Sequence, residues 1–203
     1  MQIRTGRSAA QTVGASLAAV ATIAILAGVG PATAQSLNLR AVRDPQNRFT
    51  IAVPATWNVQ TQAKNPSVEA KSPAPKTTLP DSLDVIVYDM PHALSAQDCV
   101  HESDMVLRFA IHSWTTVKEG PVSIGGEPGY SRVYNWKSGN GEQRQSVQAC
   151  VTHGGRVFMA VGTTENTQAK IDATMPLLQH AIATLKPNLA EASTTEVVPA
   201  KNK

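Results

Sequence analysis

Cysteine, aromatic side chains and charge are all scarce in this 203-residue chain: two cysteines, 4% aromatics and 16% charged residues. Two cysteines at positions 99 and 150 are too far apart for a CxxC redox pair or a CxxCH haem attachment. No G-x-S-x-G run is present, which leaves a serine hydrolase of that type without support. The glycines of "IGGEPG", at 125, 126 and 129, fit neither a dinucleotide-binding nor a P-loop fingerprint. No block of like charge occurs anywhere. No acidic residue precedes Asp44, and after Val29 no long apolar run recurs.

What the first residues do contain is an export pattern. Arg4 and Arg7 precede an apolar and small-residue run from Val13 to Val29, and "PATAQ" follows. Ala32-Thr33-Ala34 is the small-x-small pattern that a signal peptidase pocket admits, so residues 1–34 are expected to be a cleaved signal peptide. An uncleaved anchor is the alternative, but the run is short for a span and rich in Ala and Gly. The cleavage point carries no cysteine for a lipid anchor, and no paired arginines precede the run. The expectation is an exported protein, periplasmic or extracellular, with no stable membrane insertion after cleavage.

Removing that segment changes the charge argument. The whole chain has 18 basic and 15 acidic residues; without Arg4 and Arg7, 16 basic remain, a net of +1. Such a balance, scattered along the chain, excludes nucleic acid as the expected partner. An oxidising destination also bears on Cys99 and Cys150, which are expected to form a disulfide. On a chain-entropy argument such a bridge stabilises by about 4 kcal/mol. Two buried free thiols acting as small core residues remain the alternative.

The rest divides into punctuated elements. Leu37 to Val42 and Arg48 to Val53 alternate apolar and polar around "RDPQN", predicting a β-hairpin. Pro54 stops the second strand because it lacks an N–H for the ladder, and Trp57 is expected to cover one end of the core. Lys64 to Asp81 holds four prolines and predicts a loop with a short strand near Ser67 to Lys71. Ser82 to Met90 predicts a strand covered on both faces. A helix is expected from about Ser95 to Ser113, with Ser95 as N-cap, Asp98 beside it, and Cys99, Ser103, Val106, Ala110 and Ile111 facing inward.

Five strands follow: Thr115 to Val117, Val122 to Ile124, Gly129 to Trp136, Gln145 to Val151, and Arg156 to Gly162. "KSGNGE" and "HGGR" are the turns. A second helix spans about Thr167 to Lys186, with Ile171, Met175, Leu178, Ile182 and Leu185 on one face. Pro176 either kinks it or lies in the first turn of a helix starting at Thr174. Pro187 ends the folded part, and residues 188–203 predict a disordered tail. The order gives one α+β domain over residues 36–187, an antiparallel β-sheet flanked by helices.

"DPQNRFTIAVPATWNV" resembles the opening of PsbP/Mog1-like domains, including the DcrB and LpqN-type bacterial envelope proteins. Phe49, Ile51, Val53, Pro54 and Trp57 occupy the Phe-x-Ile-x-hydrophobic-Pro…Trp pattern of that group. "IGGEPGYSRVY" is similar to its strand entry, and "GGRVFMAVGTT" to its closing strand. The resemblance runs from about Leu37 to Lys186 and implies a PsbP/Mog1-like α/β/α sandwich. It implies no shared chemistry, because members assist photosystem assembly, bind a small GTPase or act in the envelope. Many envelope members are lipoproteins, whereas this chain lacks the lipid-bearing cysteine.

The five histidines offer no dense ligand set. His101 and His112 are three helical turns apart, about 16 Å, where a metal site wants one turn. His101 with Asp104 would be a weak two-ligand pair, while His92, His153 and His180 fit solvated positions. No catalytic residue, metal ligand or cofactor is therefore expected. The expected function is a non-catalytic exported module that binds a protein or envelope component. The alternative is a small-ligand-binding protein or hydrolase with a pocket beside the Pro-rich loop, residues 64–81.

Overall fold

The computed structural model describes residues 38–75, 78–90 and 93–188. The expected signal peptide, residues 1–34, lies outside the described residues, as do residues 189–203 of the expected tail, while Asn188, expected as its first residue, is held by an N–H bond to the Arg48 carbonyl at 2.7 Å. The first hairpin forms as β1 (Leu39–Arg43) and β2 (Phe49–Pro54), paired antiparallel with Leu39 opposite Pro54. Asp44 organises its turn. Its buried carboxylate accepts the Arg48 N–H at 3.0 Å and the Arg48 guanidinium at 2.8 Å, with Asn47 at φ +56°. Burial opposes ionisation of Asp44, but these Arg48 contacts outweigh it and hold its pKa below the usual value.

The hairpin does not join the main sheet. With the short β10 (Lys186–Pro187) it makes a three-stranded sheet in the order β1-β2-β10. The main sheet has seven strands. They are β3 (Asn58–Thr61), β4 (Val68–Lys71), β5 (Ser82–Asp89), β6 (His112–Ile124), β7 (Glu127–Lys137), β8 (Gln143–His153) and β9 (Arg156–Glu165). Every pairing is antiparallel, and the order is β3-β4-β5-β9-β8-β7-β6. Two helices complete the domain: α1 (Ala96–Ala110) after β5 and α2 (Gln168–Ala183) after β9.

Strand parity separates the two faces. Val147, Ala149 and Val151 of β8 point into the main core, together with Leu83, Val85, Phe158 and Ala160. Met175, Leu178, Ala181 and Ile182 of α2 close that core, as does Leu185 beyond the helix. Gly162 lets α2 approach, since a Cβ there would sit 3.0 Å from the Leu178 side chain. The small sheet caps the same face through Phe49, which meets Phe158 edge-on with ring centroids 6.1 Å apart. Trp57 is buried there, and its carbonyl accepts from Arg40 at 2.9 Å. The aromatic after Pro54 is a packing residue.

Three expectations need correction. The pieces expected as Thr115–Val117 and Val122–Ile124 are one strand, β6, at the sheet edge. Pro121 sits within it because an edge strand has a side that makes no ladder bonds. The first helix ends at Ala110 instead of Ser113, where Ile111 turns extended (φ −133°, ψ 141°) and Ser113 takes φ +53°. Pro176 lies inside α2, which starts at Gln168 with Thr167 as N-cap, so the helix from Thr167 forms and the alternative start at Thr174 does not. The lost N–H lies on the exposed side of the helix.

Candidate functional site

The opposite, outer face of the sheet carries a polar row. Glu69, Asp84, Val161, Gln148, Arg132 and Glu119 stand in register across β4, β5, β9, β8, β7 and β6. One step along, Ile86, Met159, Cys150 and Tyr130 form a second row. Helix α1 lies over this face. Ser95 caps it by accepting the Asp98 N–H at 3.0 Å, and its hydroxyl also meets the Asp98 carboxylate at 2.5 Å. Cys99, in the first turn, is bonded to Cys150, with Cα atoms 6.3 Å apart. The bridge therefore joins α1 to the Ser146/Gln148/Cys150 face of β8.

A second tie is electrostatic. Arg132 is buried at 2% exposure, with Nη1 2.5 Å from Asp104 and Nη2 donating to the Val100 carbonyl at 2.9 Å. Neither the Asp104 oxygen nor Arg132 Nε completes an aligned hydrogen bond, so the Asp104 pair is a charge contact. The guanidinium also lies over the Trp114 ring, 4.8 Å from its centroid, and Tyr134 meets Trp114 edge-on. Burial pushes the Tyr134 hydroxyl pKa up, against a hydrogen bond with Ser146 and the nearby Arg132 charge.

These ties put polar groups between helix and sheet, and the helix does not close down on it. The inward positions are Cys99, Val100, Ser103 and Leu107. Val106, expected on that stripe, is 67% exposed, beside Met105 at 69% and Phe109 at 86%. Between α1 and the sheet runs a cleft of about 430 Å³. Ile86, Tyr88, Met90, Leu94, Val157, Met159 and Val161 form much of its lining, with Val106 and Leu107 from the helix. Gln148, Ser103, Tyr134 and Glu102 are its polar members.

The histidines do not converge on it. His101 faces Glu119 at 3.4 Å and Tyr130 edge-on at 5.9 Å, whereas Asp104 turns to Arg132. The weak His101/Asp104 pair is thus not assembled. His153 lies 3.7 Å from Glu127, and His180 is exposed on α2. His112 opens β6, and His92 lies outside the described residues. Among the described residues no three His, Cys, Asp or Glu side chains gather to hold a metal ion. No helix there is long and apolar enough to cross a membrane.

The Pro-rich loop also borders a cleft, of about 330 Å³, where Thr78 and Leu79 meet Glu142, Arg144 and Glu165. Buried Arg144 clamps the loop by donating to the Leu79 and Pro80 carbonyls at 3.2 and 2.8 Å. The loop end is pinned further by Asp81, which pairs with Lys170 and accepts from Thr164, each at 2.9 Å.

No protein-family model matches the sequence, and no curated protein matches it. Solved structures do. PsbP (CyanoP) of Synechocystis sp. PCC 6803 aligns with a TM-score of 0.57 at 15% identity, over 79% of this chain and 96% of that one. The Ran-binding protein Mog1p of Saccharomyces cerevisiae gives 0.54 at 11% identity, over 75% and 96%. The fold is PsbP/Mog1-like. LpqN of Mycobacterium tuberculosis, described as involved in cell envelope biogenesis, aligns at 0.50 with 16% identity, over 73% and 91%. At these identities the likeness shows the PsbP/Mog1-like frame alone. The α1 cleft has to be read from this chain's own residues.

Proposed function

We propose that this is an exported, non-catalytic binding module whose α1 cleft receives an apolar part of a protein or envelope component. The observation that carries the reading is the placement of Met105, Val106 and Phe109. All three side chains stand in solvent on α1, and Val106 among them also lines a largely apolar cleft. A cluster of this kind, ringed by polar residues, marks an interaction site. The export pattern and the bridged cysteines support an oxidising destination. Neither cysteine is a free nucleophile, and Arg132 and Asp104 beside the cleft are engaged with each other. Two proteins of this fold lend analogy: one binds Ran, and one is involved in cell envelope biogenesis.

The loop-side cleft is the second reading, for a small ligand, favoured by buried Arg144 whose Nε has no partner. Among the described residues its ionisable lining is Glu142, Arg144 and Glu165, which make no nucleophile–base pair for hydrolysis.

The test is site-specific photocrosslinking in exporting cells. A crosslinker replacing Phe109 should capture a defined envelope component, and one at exposed Asn140 should not. Phe109→Asp should weaken binding of that component about tenfold or more, as loss of an apolar anchor does. Equal capture at both positions, or unchanged binding by Phe109→Asp, would refute the cleft as the site.

A further inference from the structure

We infer that α1 is a redox-latched flap, held on the sheet by the Cys99–Cys150 bridge and released when a dithiol reduces it. Release dismantles the cleft and leaves the main core folded. As regulation of that site, this rests on the cleft being the binding site proposed above.

The domain packs in two separate layers. On the inner face, α2 and the small sheet close the main core. On the outer face, Cys99 and Val100 of α1 join Cys150 and Val157 in a smaller cluster, with Met90, Leu94 and Met159 packed against it. Two of those four buried members are the bridged cysteines themselves. Further along α1, Met105, Val106 and Phe109 stand in solvent. Layers packed apart in this way can open apart.

The two faces differ in what exposure costs. Val147, Ala149 and Val151 cannot meet water without losing the burial that drives folding. The row under α1 holds Gln148 and Arg132 instead, groups that water solvates. Arg132 now reaches Asp104 and the Val100 carbonyl of α1, and hydration replaces both when the helix leaves. A helix of 15 residues is marginal alone in water, so α1 off the sheet also loses its backbone hydrogen bonds. With it go Cys99, Glu102, Ser103, Val106 and Leu107, the helix's wall of the cleft.

The chemistry is thiol–disulfide exchange. Cys99 is 7% exposed and lines the cleft, whereas Cys150 is fully buried, so Cys99 Sγ is the sulfur open to attack. A thiolate of the dithiol bonds to it, the Cys99–Cys150 bond breaks, and Cys150 leaves as a thiolate that takes a proton. The second thiol then displaces Cys99 and closes the reductant's own disulfide. Two electrons and two protons pass to the protein, and the dithiol is oxidised.

Hydrogen–deuterium exchange on the oxidised, exported protein, with and without dithiothreitol, reads the release. Amides of residues 100–107 in α1 should exchange at least about a hundredfold faster once the bridge is reduced, as loss of a cross-link between residues 51 apart predicts. Amides of residues 175–182 in α2 should change less than about threefold. Alkylation should find two thiols in the folded, reduced protein. The double variant Cys99→Ser/Cys150→Ser should show the fast α1 pattern without reductant and no response to it. If that variant does not fold, the reduced parent decides alone. Protection of α1 that survives complete reduction overturns the latch. So does a bridge that dithiothreitol reaches only after unfolding, or loss of protection by α1 and α2 together. Phe109 crosslinking separates the two readings. Capture by the oxidised protein with α1 exchange unmoved by reduction sinks the latch alone. A released α1 with no capture keeps the latch and sinks the binding site.

Discussion

Asp84 shows how one residue can make stability depend on pH. It stands directly opposite Glu69 on the outer face, with Ser82 3.4 Å away and the Glu69 carboxylate held by Lys71 at 2.6 Å. Burial pushes its carboxyl up to about 6, and the Glu69 charge adds to the rise while Lys71 and Ser82 oppose it. The unfolded chain releases this proton near pH 4, the folded protein near 6. Between those values the folded state binds more protons, so its stability falls as pH rises and then levels off. Asp84→Asn removes that loss. Urea unfolding should find the variant more stable than the parent at pH 7 by roughly 1–3 kcal/mol, with the difference vanishing below about pH 4. A variant no more stable at pH 7 would show that Asp84 ionises freely. Arg132, two strands from Val161 along the same row, solves the burial problem differently, by gathering a carboxylate, a carbonyl and an aromatic face around one guanidinium.

At the scale of elements, α1 depends on its bridge. It meets the sheet through Cys99, Val100, Ser103 and the Arg132 network, and leaves Met105, Val106 and Phe109 outside. A bridge between residues 51 apart stabilises by about 4 kcal/mol on the chain-entropy argument. Denatured, unreduced protein should accordingly titrate with no thiol, and reduction should lower the melting temperature by several degrees. Two reactive thiols before reduction would mean the bridge does not form. The strands, the hairpin and the N-cap of α1 were legible because period-two alternation and turn residues report directly on local backbone. Alternation also placed Cys150 beside Ser146 and Gln148. The outward turn of Val106 was not legible, since helical spacing cannot tell which sheet residues lie beneath. The clue was "YSRVYNW", where Tyr130, Arg132, Tyr134 and Trp136 alternate on one strand face. An arginine among aromatics on a β-strand signals a covered polar layer. The break after Ala110 carried no glycine or proline to announce it.

For the molecule as a whole, the proposed export rests on residues 1–34, and the proof lies in the mature end. Protein recovered from the periplasm or medium should begin at Gln35 on N-terminal sequencing. A sequence starting at Met1, or retention in the membrane after carbonate washing, would overturn the proposal. One edge of the main sheet is protected against further pairing. Strand β6 presents Pro121, two register irregularities and the charges of Lys118 and Glu119, which discourage a second sheet from pairing there.

The small sheet has a consequence in time. Strand β2 is flanked by β1 on one side and by Lys186–Pro187 on the other, and Asn188 reaches back to the Asn47 carbonyl at 3.0 Å. The first strands of the domain are thus finished only by its last residues. A chain threaded through a narrow channel from its N-terminus cannot lock this clasp while its tail is still behind. Such long-range closure slows folding, because the loop entropy is spent before the contacts form. Under the proposed export, such a delay would keep the polypeptide threadable until nearly all of it had crossed.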